Sequence, residues 1–586
     1  MSAQLSSLST PGSIKPTAQD AFLQALVRRR RVFAEAVVAT VLMGLLGLAT
    51  SIFTMQVYDR VIPLQGYSTL LVLGVGVLIA IGFELAMRHV RAVMVEHSCK
   101  AIDQELSSTF FAKALSTRLD ANPKTIGTYA SQIKNFEIVR QFMASATLAV
   151  FADIPLALLF IVVIAFIAGP VALAPLVFLP VALLVGLSFS KPLRLLSAAQ
   201  IQESNVKNGL LVEAIDGMEM VKATASGPHF LGRWRQVIEA LADKELQLKL
   251  LTSLSSNLTQ TVQQLSYVAV VIVGAYAVIE GSLTMGGLIA CSILSSRAIQ
   301  PVAQLPGMLA QFATAKVALG TLDGIMALPD ERDPDIALIA PGRVKGALRL
   351  DAVKFFYDGK EPVVDIPRLE IGAGHRLAIV GPVGGGKTTL LRLLAGLYRP
   401  HKGQVFLDDI DMAQLMPEVV RKAIAYLPQE VRLFEGSLRD NLTLGLGEVD
   451  DEELLQMIDA LGLSGWIKSH ARGLSMPIFE GGRGISGGQR QLVGLARALL
   501  AKPRVLIMDE PSSSMDASLE ARVVAQVEAL LPEDAALVVA SHRAAWFQAV
   551  ERVVFVAGGR IGMDGPKQDL VQNLSAFMGR AGPANG

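Results

Sequence analysis

Six runs of about 20 mostly apolar residues lie before position 310: roughly Ala34–Met55, Ser68–Met87, Ala144–Ala168, Val171–Ser190, Thr259–Ile279 and Leu283–Leu309. A helix needs about 20 such residues to cross the hydrocarbon core of a bilayer. This half of the chain is therefore expected to be a six-span helical membrane domain. Only 18% of the 586 residues are charged and 52% are hydrophobic, against about 25% charged in an ordinary soluble domain. A disordered chain and a coiled-coil rod are excluded on that balance. The net charge of +1 removes any global basis for nucleic-acid binding. Cys99 and Cys291 stand far apart, without the spacing of a disulfide framework or a zinc site.

Basic residues set the expected orientation. Arg28, Arg29, Arg30 and Arg31 precede the first run, and the segments Arg88–Met143 and Lys191–Asn257 each carry eight Lys or Arg. The short connections Tyr58–Tyr67, Gly169-Pro170 and Glu280–Ser282 carry only Arg60. Cytoplasmic segments hold the Lys/Arg excess, so both termini and both long segments are expected on the cytoplasmic side. Helical spacing over His89–Leu119 and Gln200–Lys249, with Asn122-Pro123 and Gly227-Pro228 near the midpoints, predicts two helical hairpins. Met1–Val27 is expected to be a tail ending in a short amphipathic segment, not a cleaved signal, because the arginines come late. Its first part, Met1–Ala18, is polar without apolar periodicity and is expected to be dispensable. The segment Pro329–Gly346, with three prolines and two glycines, predicts a linker. The expected division is a tail over 1–31, the spans over 32–322, the linker over 323–345 and a second domain over 346–580.

Beyond the linker, short Val/Ile/Leu strands alternate with helices, at Arg376–Val380, Thr388–Leu397, Val505–Met508, Leu519–Leu530 and Leu537–Ala540. That alternation predicts an α/β domain with a largely parallel sheet. Between the first strand and helix, Gly381, Gly386, Lys387 and Thr388 match G-x-x-x-x-G-K-[ST]. Glycines there let N–H groups turn toward phosphate, and the helix start adds positive potential. Lys387 supplies charge to the outer phosphates, and the Thr388 hydroxyl can ligate Mg²⁺. Asp509 ends a buried strand and can hold the Mg²⁺ shell; Glu510 follows, placed to orient or deprotonate an attacking water. Gln429 can reach metal and water from a loop, and His542, after its strand, can contact the γ-phosphate.

The string Ile485-Ser-Gly-Gly-Gln-Arg-Gln491 resembles the signature of ATP-binding cassette proteins, and spans followed by one cassette resemble an ABC exporter half-transporter. Ile485 stands where Leu is commoner, a change that conserves volume. The resemblance implies ATP and Mg²⁺ as cofactors. It implies nucleotide contacts from Gly381, Pro382, Val383, Gly384, Gly385, Gly386, Lys387, Thr388 and Thr389. It also implies that Tyr357 stacks on adenine, although a core-packing role is the alternative. Ser486, Gly487, Gly488 and Gln489 would reach the γ-phosphate held by another copy, and Asp516 would face the dimer. Glu480 would report nucleotide state to the hairpins. With one phosphate loop in the chain, a homodimer is the economical expectation.

Three membrane-half strings resemble type I secretion exporters of the haemolysin and RTX-adhesin type: Val57-Tyr-Asp-Arg-Val-Ile-Pro63, Phe136-Glu-Ile-Val-Arg-Gln-Phe142 with Asp153-Ile-Pro155, and Leu283-Thr-Met-Gly-Gly-Leu-Ile-Ala290 followed by Arg297 and Pro301. By resemblance the partners are a periplasmic adaptor, an outer-membrane tunnel protein and an unfolded polypeptide cargo, at the bacterial inner membrane. About 30 residues precede the first run, too few for the peptidase-like domain that many such exporters carry. Cargo with an uncleaved C-terminal signal is therefore expected. A lipid or small-molecule exporter is the alternative reading. Glu84, Asp153 and Arg297 are expected in the translocation path or in interhelical pairs, since ionisable groups inside membranes are costly and often functional.

Overall fold

The computed structural model describes residues 17–121, 126–140, 142, 154–333, 336–357, 359 and 361–568. They form two compact units: one holds most of the chain before Leu328, and the other runs from Pro329 onward and takes in Thr117–Asn122.

The first unit is helical: α1 (Ala18–Arg28), α2 (Arg30–Gln56), α3 (Tyr67–Ser116), α4 (Ile126–Lys134), α5 (Ile154–Ala168), α6 (Leu173–Ser188), α7 (Ser190–Asp216), α8 (Met218–Ala223), α9 (Gly227–Ile279) and α10 (Met285–Met326). Among the described residues four helical runs are long and apolar enough to cross a membrane: Arg30–Val61, Tyr67–Ser116, Pro155–Asp216 and Gly227–Ile279. The third takes in two expected spans, which meet at a single 3₁₀ turn over Gly169–Ala172. Gly169 enters that turn at φ +51, a left-handed conformation that glycine adopts without steric cost. Residues 144–153 of the expected third span, Asp153 among them, lie outside the described residues. The sixth expected span lies in α10.

Helices α3 and α9 run on well past the length a bilayer needs, as the hairpin reading requires. The second hairpin turns through α8 and Thr224–Ser226, where Ala225 sits at φ +53. Gly227-Pro228 then opens α9, and a proline in the first turn forfeits only an N–H that has no helical partner. The first hairpin's expected turn at Asn122-Pro123 lies outside the described residues.

The tail ends in α1, where a short amphipathic segment was expected, and the folded unit takes in Ala18. Thr17 and Asp20 form a capping box that starts α1, and the Ala18 N–H donates to Asp323 Oδ1 at 2.7 Å. Ala18, Phe22 and Ala25 are buried with Phe110, Phe136, Val139 and Leu322. Phe22 meets the Phe110 ring at 6.0 Å, and Phe110 stacks on Phe136 at 6.1 Å. Arg28 and Arg29 both bond Glu105. Ala18 therefore belongs to the folded unit and not to a dispensable tail. Replacing Phe22 with Ala is expected to cost about 3–5 kcal/mol, read as a lower unfolding midpoint of the purified chain.

The second unit holds two main sheets and a short antiparallel pair, β7 (Gly436–Ser437) with β8 (Pro477–Ile478). A four-stranded antiparallel sheet has the order β2-β1-β4-β5, from β1 (Leu348–Phe355), β2 (Val364–Ile371), β4 (Lys402–Leu407) and β5 (Ile410–Asp411). A six-stranded sheet has the order β12-β11-β3-β10-β9-β6, from β3 (Arg376–Val380), β6 (Ile424–Leu427), β9 (Val505–Asp509), β10 (Ala536–Ala540), β11 (Arg552–Ala557) and β12 (Arg560–Pro566). Its five strands from β11 to β6 are parallel and only β12 is antiparallel. Every residue of β9 and β10 is buried, which is why these strands read as unbroken apolar runs. Three helices of this unit carry or support site residues: α11 (Lys387–Leu394), α12 (Gly487–Leu500) and α13 (Ala517–Leu530). The first is shorter than the expected Thr388–Leu397, because Gly396 turns left-handed at φ +64. The segment Thr117–Ala121 is tied into this unit where the Arg118 N–H donates to Pro329 O at 3.0 Å.

Candidate functional site

Four of the predicted site segments leave the same edge of the parallel sheet. The glycine loop follows β3, His542 follows β10, the Asp509-Glu510 pair ends β9, and Gln429 follows β6. These strands are neighbours in the order β3-β10-β9-β6. In open α/β sheets ligands bind beyond the carboxyl ends of the strands, and the sequence order 3-6-9-10 is folded into that cluster by the crossover connections.

The glycines of the loop answer steric demands. Gly381, Gly384 and Gly386 have φ of +154, +75 and +97. A Cβ on Gly381 would stand 1.9 Å from Val556 O, and one on Gly386 2.8 Å from Val363 O. The backbone is thus held against β11 and the approach to β2, while Pro382, Val383 and Gly384 face solvent and Gly385 is buried. Lys387 Nζ donates to Gly381 O at 2.7 Å and Pro382 O at 3.0 Å. Burial lowers its pKa, and the Glu510 and Asp509 carboxylates oppose that shift. Thr389 is buried and its hydroxyl lies 3.0 Å from the Tyr357 hydroxyl. Tyr357 is half-exposed, edge-on to Phe355 and Tyr398. It is therefore anchored to the loop's helix with ring surface open, and core packing does not use it up.

Asp509 is 2% exposed and accepts from Thr388, yet its Oδ2 has no hydrogen-bond partner. Burial raises its pKa, and Thr388, Arg392 and Lys387 pull it back. An orphaned buried carboxylate oxygen beside a threonine hydroxyl at a phosphate loop fits a divalent cation shell. Glu510 sits at φ +47 with its N–H bonded to Ala540 O at 2.8 Å. Such strain in a non-glycine residue collects at functional sites. Its Oε1 is 3.7 Å from His542 Nε2. Gln429 is exposed in a bend just after β6.

The signature string caps α12. Ser486 Oγ accepts from the Gln489 N–H at 3.2 Å, and Gln489 Oε1 accepts from the Ser486 N–H at 3.1 Å. Ser486 is exposed. Gly487 and Gly488 let the helix start press on the turn before α13: a Cβ on either would come within 3.1 Å of Ser514. Asp516 caps α13 by accepting from the Leu519 N–H. Gln489 thus serves its own helix here.

Sequence reading passed over the clamp on that turn. Buried Gln491 donates to Ser513 Oγ at 2.7 Å and accepts from the Ser514 N–H at 3.2 Å. Arg543, next to His542, donates to Met515 O at 3.0 Å and Ser513 O at 3.3 Å. Trp546 donates to Ser512 Oγ at 3.0 Å, and Ser512 donates to buried Glu520. The only advance signal was Gln491 itself, a polar residue on the apolar face of α12.

Two family descriptions match the chain. The ABC transporter transmembrane region matches residues 33–302, and the ABC transporter domain matches 364–513, a span that takes in the glycine loop, the signature and Glu510. The chain belongs to the ABC exporters. This exporter is 27% identical over 558 residues to the leukotoxin translocation ATP-binding protein LktB of Mannheimia haemolytica, across 95% of this chain and 78% of that protein. LktB of Bibersteinia trehalosi matches with the same identity and coverage. A solved bacterial Atm1-family ABC exporter with ATP bound has the same fold, with a TM-score of 0.84, 19% identity, and 95% of this chain and 99% of that one covered. The exporter binds ATP in its cassette and couples ATP hydrolysis to transport.

The membrane-half expectations divide. Glu84 pairs with Arg88 on its own helix at 2.7 Å. Arg297 Nη1 donates to Gly47 O across to α2 at 2.7 Å, which is the interhelical alternative. Of the Phe136–Phe142 string, Phe136 and Val139 are buried against α1 and α3, and Arg140 pairs with Asp103 at 2.9 Å.

Proposed function

We propose that this exporter moves a polypeptide across the bacterial inner membrane as the ABC component of a type I secretion system. The observation that carries the reading is likeness to leukotoxin translocation proteins along 95% of the chain. Six spans over 32–322, the linker, a cassette over 346–580 and cytoplasmic termini complete it. A periplasmic adaptor and an outer-membrane tunnel protein would continue the path. A lipid or small-molecule exporter, with the same fold and engine, is the rival.

The engine is proposed to be a homodimer with composite sites. The glycine loop leaves β3, whereas α12 packs on β6, three strands away. At about 4.8 Å per strand those two strands lie roughly 14 Å apart, so the glycine loop and the signature helix of one chain rest on separated strands. Exposed Ser486, with Gly487, Gly488 and Asp516, would instead face the loop of a second copy. Tyr357 would stack on adenine, and the N–H groups from Gly381 to Thr389 would cradle the phosphates. Thr388, Asp509 and Gln429 would hold Mg²⁺, which draws charge from the phosphates when bound. Glu510 would take the proton of the attacking water, and His542 would steady the γ-phosphate.

Deleting the gene tests the cargo class. The expected result is a culture medium lacking one large polypeptide, with membrane lipid composition unchanged. Accumulation of a lipid in the inner membrane, with normal protein secretion, would replace this reading by its rival.

A further inference from the structure

Two strings marked in the sequence, Val57–Pro63 and Leu283–Ala290, are halves of one joint. The first apolar helix ends in a π-turn over Val57–Val61, a geometry common at functional sites, and the turn presents Asp59 to the start of α10. Asp59 Oδ1 accepts from the Gly286 N–H at 2.8 Å, and Oδ2 accepts from the Thr284 hydroxyl at 2.7 Å. Thr284 Oγ1 in turn accepts from the Gly287 N–H at 3.1 Å. A helix start has unsatisfied N–H groups and positive potential; here a carboxylate from another helix meets both. The approach depends on Gly286, where a Cβ would stand 2.4 Å from Met55 O and 2.7 Å from the Asp59 carboxylate.

A second tie joins the same helices about 18 Å further along, at 1.5 Å per residue. There Arg297 reaches Gly47 O, and a Cβ on Gly47 would stand 2.2 Å from the guanidinium. The two ties differ in their surroundings. Thr284 is exposed and Asp59 half-buried, so water can replace both bonds when they part. Arg297 is half-buried in the sixth expected span, where letting go would leave a cation without a partner in an expected membrane segment.

We propose that Asp59 is a positioning residue for transport, a latch that fastens the first span to the start of α10 and releases during the ATP cycle while the Arg297–Gly47 tie holds as pivot. The latch presupposes only ATP-driven transport, not the class of cargo. Leu64 and Ile279, 77% and 81% exposed, flank it and accept spin labels through Leu64→Cys and Ile279→Cys in a Cys99→Ser, Cys291→Ala background of the full chain in nanodiscs. The expected result, in dimers where one copy carries both labels and the other none, is one short distance without nucleotide and a longer one with ATP and vanadate. Asp59→Ala and Thr284→Val should show the longer distance without nucleotide, and Thr284→Ser should behave as the parent. The same distance in both states of the parent, or an Asp59→Ala protein indistinguishable from it, would overturn the latch. Should Asp59→Ala fail to fold, Asp59→Cys with Thr284→Cys, joined by a short cleavable thiol cross-linker, serves instead. ATP turnover should then fall at least tenfold and return on cleavage; unchanged turnover in the cross-linked protein overturns the proposal.

Discussion

Glu510→Gln is expected to keep ATP bound while turnover falls by about 10²–10⁴-fold, the usual range for a lost general base. Glutamine conserves the shape of the side chain and its hydrogen bonding, so the strained turn at φ +47 and the strand around it should persist. What disappears is a carboxylate that can take a proton. Burial pushes the Glu510 carboxyl above the usual 4.5, with His542 and Lys387 pulling it back. A base works deprotonated, so activity is lost as pH falls through that raised pKa, and the acid limb of kcat/KM, which reports the free enzyme, should lie above 4.5. The limb should vanish from the residual activity of the Gln variant. Turnover within a few-fold of the parent would remove Glu510 from its role.

Lys387→Ala acts one step earlier, on binding. Lys387 is held over the loop by two backbone carbonyls, Gly381 O and Pro382 O, so its charge is in place before phosphate arrives. A hydrogen bond to a charged group contributes about 1.5–3 kcal/mol, which is about 10–150-fold in affinity. ATP affinity measured by titration of the purified chain should fall by that factor, and an unchanged affinity would contradict the phosphate role. The two variants separate cleanly, since one spares binding and the other weakens it.

The cassette was legible because its chemistry is local in sequence. A glycine loop must be written as glycines, and a buried parallel strand such as Val505–Asp509 must be an apolar run. The helix cap Ser486-x-x-Gln489 is likewise confined to four residues. Contacts between distant segments carry no such mark. Gln491 reaches across to Ser513 and Ser514, and Asp59 meets Thr284 from 225 positions away. Each looks like an ordinary polar residue until the fold places its partner. The exact start of α1 was illegible for the same reason: Ala18 is held by Asp323, at the far end of α10, and by a cluster drawn from distant segments. Arg297 was legible as an anomaly, yet its partner is a carbonyl at Gly47, which no side-chain pattern announces.

That each ATP site is built from two chains is tested most directly by mixing variants. Ser486 and Lys387 lie about 100 residues apart in sequence, at the starts of two different helices. On the proposed homodimer, a Lys387→Ala chain and a Ser486→Arg chain would each form homodimers with both sites damaged. In a mixed dimer one composite site carries both lesions and the other carries none. ATPase activity of affinity-purified mixed dimers, tagged differently on each chain, is therefore expected to recover to about half that of the parent on this counting of sites. Mixed dimers as inactive as the two homodimers would contradict the shared site.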